Sequence, residues 1–87
     1  MEAKLTELEK SILLAFLILA RGTTKQIKID SILVKFPLNQ RKMAREYVYK
    51  LVKNGFLVKY PYENYSLSES GLKRAARLLA EGAMLLK

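Results

Sequence analysis

Arg41 and Arg45 lie one helical turn apart in the stretch NQRKMAREYVYKLVKNG, which runs from Asn39 to Gly55. A guanidinium is a planar fork of donors that fits guanine edges and phosphate oxygens alike. Gln40 and Lys42 stand beside these arginines, and Tyr49 follows one turn later, so the chemistry on offer is recognition of a polyanion. Bond-making chemistry has no foothold. The sequence has no Cys and no His, which removes disulfides, Cys/His zinc sites and nearly all nucleophile–base pairs. Neither an acidic cluster nor a phosphate-cradling glycine loop is present. An enzyme is therefore not expected, nor a cofactor or a metal.

Charge points the same way. Sixteen Lys and Arg against eight Asp and Glu give a net charge of +8, which favours a polyanionic partner. The bases are concentrated: Arg41, Lys42, Arg45, Lys50, Lys53 and Lys59 fall between Asn39 and Pro61 with Glu46 as the one acid. The 87 residues suit a single domain, and an apolar content of 51% exceeds what one small core needs, which suggests self-association. The apolar run Ile12 to Ala20 has acidic flanks (Glu2, Glu7, Glu9), no A-x-A site and too few residues to span a bilayer. The chain is accordingly expected to be soluble, complete, without a membrane partner, and cytoplasmic.

Helices must position these bases. Ala44, Val48 and Leu51 recur at i, i+4 and i+7 with Tyr47 and Val52 flanking, an inward stripe that turns Gln40, Arg41, Lys42, Arg45 and Tyr49 elsewhere. Asn39 is the expected N-cap, and Lys53, Asn54 and Gly55 make a cationic last turn with a glycine stop. Upstream, Thr6 and Glu9 form a capping box, placing the start of a first helix at about Thr6. Its inward stripe is Leu8, Ile12, Ala15, Phe16 and Leu19. Leu13, Leu14, Leu17 and Ile18 leave its second half apolar all round, as in a helix covered on both sides, and Arg21 and Gly22 close it. The alternation from Thr24 to Lys28 predicts a short strand. Asp30 is then expected to cap a second helix from Asp30 to Phe36, ended by Pro37, with Leu38 as the apolar pin of the turn into the third.

Phe56 to Tyr60 reads as a strand, Tyr62-Glu63-Asn64 as a turn and Tyr65 to Leu67 as the returning strand, so this segment is a hairpin. Ser68 caps a last helix with Glu69 in its first turn. That helix carries two apolar stripes, Leu72, Ala76, Leu79, Ala83, Leu86 and, beside it, Ala75, Leu78, Gly82, Leu85. One serves the domain core. The second is expected to meet another copy of the chain, and Leu72, Ala75, Leu78, Leu79, Gly82, Leu85 and Leu86 are the candidate dimerisation residues, with help from the first helix.

The succession helix, strand, helix, helix, hairpin, helix resembles that of winged helix-turn-helix proteins. Tyr65, Leu67, Ser68, Gly71 and Ala75 are similar to the family pattern Y-x-L-T-x-x-G-x-x-x-A, and Leu51, Gly55 and Leu57 to L-x-x-x-G-x-[IL]. The chain is most similar to the small dimeric archaeal transcriptional regulators. The resemblance implies an α+β winged helix-turn-helix whose last helix serves dimerisation, and double-stranded DNA as the partner, read in the cytoplasm at the nucleoid. It puts Gln40, Arg41, Lys42 and Arg45 in the major groove and Lys59, Tyr60, Tyr62 and Asn64 in the wing. Glu46 and the lone wing lysine depart from the family pattern. Tyr47 and Tyr65 are read as core, and Lys73, Arg74 and Arg77 as the solvated face of the last helix. Three functions compete: a homodimeric sequence-specific regulator, an architectural DNA binder, and a protein-protein adaptor.

Overall fold

The computed structural model describes residues 4–82, and its first helix, α1 (Glu7–Leu19), begins where the capping box requires. The Glu9 amide donates to Thr6 Oγ1 at 3.1 Å and the Thr6 amide to Glu9 Oε1 at 2.9 Å, so two orphan donors are satisfied reciprocally. At the other end the Gly22 amide donates to the Leu17 carbonyl and the Arg21 amide to the Ile18 carbonyl. The first left-handed residue past this end is Arg21 (φ 53°), with Gly22 (φ 74°) following it, rather than the glycine alone.

Ile12 to Leu17 are all buried, because α1 packs against α4 (Glu69–Ala80), α3 (Arg41–Lys53), β3 (Asn64–Leu67) and α2 (Ile29–Leu33) of the same chain. The all-round apolar half of α1 is thus covered from within. Only Ile18, 51% exposed, is left for anything else among these residues. The second copy expected along α1 has little to cover.

Strand β1 is only Ile27–Lys28, shorter than the five residues expected. The Thr23 hydroxyl donates to the Ala20 carbonyl and accepts from the Lys25 amide, which holds the preceding residues in a turn. Helix α2 (Ile29–Leu33) follows without a break, one residue before the expected start, with Lys28 at the cap position and Asp30 inside the first turn. Between α2 and α3 (Arg41–Lys53) the chain makes a 3₁₀ turn over Leu38–Gln40. Asn39 therefore lies within that turn and caps nothing. Leu38 is 79% exposed, and Phe36, buried against the core, is the apolar residue at the seam. Pro37, extended at ψ 149°, lies between the two side chains where the chain changes direction.

Helix α3 closes as its sequence predicts, with Gly55 at φ 85° and the Phe56 amide donating to the Leu51 carbonyl at 2.9 Å. Strands β2 (Leu57–Tyr60) and β3 (Asn64–Leu67) form the hairpin, in register Leu57 with Leu67 and Tyr60 with Asn64. β1 adds antiparallel to the free edge of β3, giving a three-stranded sheet in the order β1-β3-β2. The result is an α+β fold of helices against an antiparallel sheet, with one cluster of buried apolar side chains.

Helix α4 (Glu69–Ala80) starts at Ser68, whose Oγ accepts from the Gly71 amide at 3.0 Å. The same hydroxyl donates to the Gly55 carbonyl, tying the head of α4 to the exit of α3. Gly71 is needed there, since a Cβ at that position would run into the Phe56 carbonyl. Among the described residues, no helix is long and apolar enough to cross a membrane.

Candidate nucleic-acid interface

The first turns of α3 cross α2 so that Arg41, Lys42 and Arg45 line one open groove of about 390 Å³ with Asp30, Leu33 and Val34. Ala44, Val48 and Leu51, fully buried, anchor the opposite face of α3 and hold these bases outward. Arg41 Nε donates to the Phe36 carbonyl at 3.0 Å, so this side chain also fastens α3 to the end of α2. Arg45 stands 4.0 Å from Asp30 Oδ1. Its guanidinium is held above its ordinary value, first by the Tyr49 hydroxyl beside it and then, against desolvation, by the Glu63 and Asp30 carboxylates. The Asp30 pair is solvent-exposed and contributes at most about 1 kcal/mol, so exchanging Asp30 for a phosphate or a base costs little.

From Arg45 the cationic surface continues onto the hairpin. Tyr49 sets its ring 6.5 Å from that of Tyr65, and Lys59 Nζ lies 5.8 Å from the centre of the Tyr49 ring. Lys59 is the cross-strand neighbour of Tyr65, which puts both on the sheet face that meets α3. Tyr65 is wholly buried and donates from its hydroxyl to Glu63 Oε2 at 2.7 Å. Its hydroxyl is pushed well above the usual tyrosine range, chiefly by burial and then by the Glu63 carboxylate.

Strand alternation divides the residues read as wing contacts. Tyr60 and Asn64 fall on the opposite face from Lys59, where Tyr60 accepts a hydrogen bond from the Ser66 hydroxyl and Asn64 Nδ2 donates to the Pro61 carbonyl. Tyr62 is at the apex, 88% exposed, with Tyr62 and Glu63 both in the left-handed region (φ 63° and 58°). Gln40 is exposed in the turn before α3. The site therefore gathers Arg41, Lys42, Arg45, Tyr49 and Lys59, presents Gln40 and Tyr62 at its margins, and uses Tyr60 and Asn64 inside the hairpin.

Two positioning residues escape a reading by residue type. Asp30 meets Arg45 only because α2 and α3 cross, and nothing local announces it. Glu63 reaches the Tyr65 hydroxyl from the hairpin turn, where its backbone is left-handed at φ 58°, and a turn residue read by type is expected in solvent.

On α4 the candidate dimerisation residues separate. Ala75 and Leu78 are buried in the core of their own chain and unavailable to a second copy, and Leu72 is half-buried against that core. The reason is the turn of the helix: Gly71, Ala75 and Leu78 form the stripe that meets the core. Leu79 is 53% exposed and Gly82 is exposed, while Leu85 and Leu86 lie outside the described residues.

Comparison with protein-family models, with curated proteins and with solved structures finds no match to this chain.

Proposed function

We propose that this chain is a winged helix-turn-helix DNA-binding protein, acting as a homodimeric transcriptional regulator at the cytoplasmic nucleoid. In this reading α3 lies in the major groove of double-stranded DNA and the β2–β3 hairpin is the wing. The observation that carries it is the continuous cationic surface from Arg41, Lys42 and Arg45 in the α2/α3 groove, across Tyr49, to Lys59 of the hairpin. The element order, with β1 completing the hairpin sheet ahead of two closely linked helices, supports it. Helix-turn-helix proteins place the N-terminal residues of the second helix against base edges, and the bases of α3 are concentrated there. Leu79, with Ala76 and Ala80, leaves an exposed apolar stripe on α4 for the second subunit.

A second reading, architectural binding with little sequence preference, is favoured by Arg41. Its Nε bond to the Phe36 carbonyl fixes the side chain against the end of α2 and leaves the two Nη groups for a phosphate, a contact that positions the protein without reading sequence.

The two are separated by comparing Arg45→Ala with Lys59→Ala on a DNA selected from a random pool and on unselected DNA. For a regulator, Arg45→Ala costs about 1 to 3 kcal/mol on the selected site and much less elsewhere. Lys59→Ala weakens both alike and lowers the salt slope by about 1. Equal losses from both variants on every DNA would leave the architectural reading, and no retention of DNA by the wild type would end both in favour of a protein adaptor.

A further inference from the structure

Most of the described acids have a local partner. Glu7 pairs with Lys10, Asp30 with Arg45 and Glu69 with Lys73, while Glu9 closes the capping box and Glu63 accepts from Tyr65. Glu46 is different. Among the described residues its carboxylate accepts no hydrogen bond and makes no ion pair, although Lys42 and Lys50 stand one turn away on either side. Lys50 lies instead over the Tyr47 ring, 4.9 Å from its centre.

The place of Glu46 on α3 gives this isolation a consequence. Ala44, Val48 and Leu51 form the buried stripe of the helix, and at about 100° per residue Glu46 stands about 170° from the middle of that stripe. Lys42, Tyr49 and Lys53 share the outermost face with it, all exposed. With α3 in a major groove, the one acid of the helix is therefore on the side that faces the bases.

A carboxylate in that position loses water and enters the field of two phosphate strands of its own sign. A donor on a base edge offsets both costs. The donors of the major groove are the N4 amino group of cytosine and the N6 amino group of adenine, and adenine sets its N7 acceptor beside that amino group. An ionised carboxylate only accepts, so it suits cytosine. Guanine and thymine present acceptors there and repel it.

We infer that Glu46 is a specificity-determining residue, whose carboxylate accepts from the N4 amino group of one cytosine beneath α3 and disfavours the other bases at that position. This rests on the proposed DNA binding by α3.

The test lets the full chain and its Glu46→Ala and Glu46→Gln variants each select duplexes from a random pool. Wild type is expected to fix a cytosine at one position that Glu46→Ala leaves unspecified, with the remaining positions shared. Glu46→Gln should move the preference there from cytosine to adenine, because a carboxamide both donates to N7 and accepts from N6. Changing that cytosine to thymine in the wild-type site should weaken wild type about tenfold and Glu46→Ala less than about twofold. On unselected DNA Glu46→Ala should bind at least as tightly as wild type, since it has lost a charge of the same sign as the phosphates. Both variants should keep the wild-type Tm, because the side chain is exposed and unpaired. An identical consensus from wild type and Glu46→Ala would make Glu46 an ordinary solvated charge and overturn the inference, while the DNA-binding reading stands. Uniform enrichment by wild type also overturns it and leaves architectural binding. Failure of wild type to retain any DNA removes both.

Discussion

At the scale of single residues, Tyr65 links the core to the cationic surface. Its ring is buried beside Tyr49, and its hydroxyl is spent on Glu63, so the hairpin and α3 are held in one arrangement. Because the folded pKa lies above the ordinary value of 10.0, the folded state keeps a proton that the unfolded chain releases. The contribution of Tyr65 to stability is therefore complete below about pH 10 and falls as pH rises beyond it. Urea unfolding between about pH 8 and about pH 11 should show a steeper alkaline loss for wild type than for Tyr65→Phe. At neutral pH Tyr65→Phe should cost about 1.5 to 3 kcal/mol for the lost hydrogen bond to a carboxylate. Identical pH profiles for the two proteins would show that the hydroxyl is not the titrating group. The burial of Tyr65 was readable from its place in Y-S-L-S; the role of Glu63 was not, because a turn reading of Tyr62-Glu63-Asn64 treats it as solvated.

Among the elements, what was legible was local. The capping box of α1, the glycine exit of α3 and the serine cap of α4 depend on residues three to five apart, and the structure forms each of them. The turn between α2 and α3 was less legible, since Asp30 and Asn39 are both good caps by type and neither is used. Long-range packing decides there: Ile29 must be buried, and β1 must pair with β3 immediately before it. Gly71 shows the same dependence. Its need is set not by its own backbone angles but by the Phe56 carbonyl, which α4 approaches at that point. Gly71→Ala should therefore cost about 2 to 3 kcal/mol, the range for forcing atoms into a packed site. That corresponds to a fall in Tm of about 10 °C or more. Gly55→Ala, which meets open space but must adopt φ 85°, should cost about 1 kcal/mol. Thermal unfolding of both variants measures the difference, and a milder effect at Gly71 than at Gly55 would mean that α4 can lift from α3 at little cost.

For the whole molecule, the surplus of apolar residues has two destinations, only one of which the sequence distinguishes. The run Ile12 to Leu17 looked like surface awaiting a partner, yet four elements of the same chain cover it. Periodicity cannot separate a helix at the centre of a small domain from one at an interface, because both are apolar all round. Leu79 on the α4 edge is among the large apolar side chains left exposed, and the proposed homodimer depends on it. Two subunits related by a two-fold axis would present their α3 helices to half-sites about 10 base pairs apart, each tethering the other. Leu79→Lys places a charge on that edge without touching Ala75 or Leu78 in the core, so the subunit should stay folded and sediment at the 10.0 kDa of one chain. Wild type should sediment at twice that mass. The variant should bind an isolated half-site as wild type does but lose about 100-fold or more on the full site, since linkage of two sites supplies 10² to 10⁴ in avidity without any new contact. A wild type already at the mass of one chain, or a variant that keeps full-site affinity, would place DNA recognition within the single subunit and leave the α4 edge without a role in it.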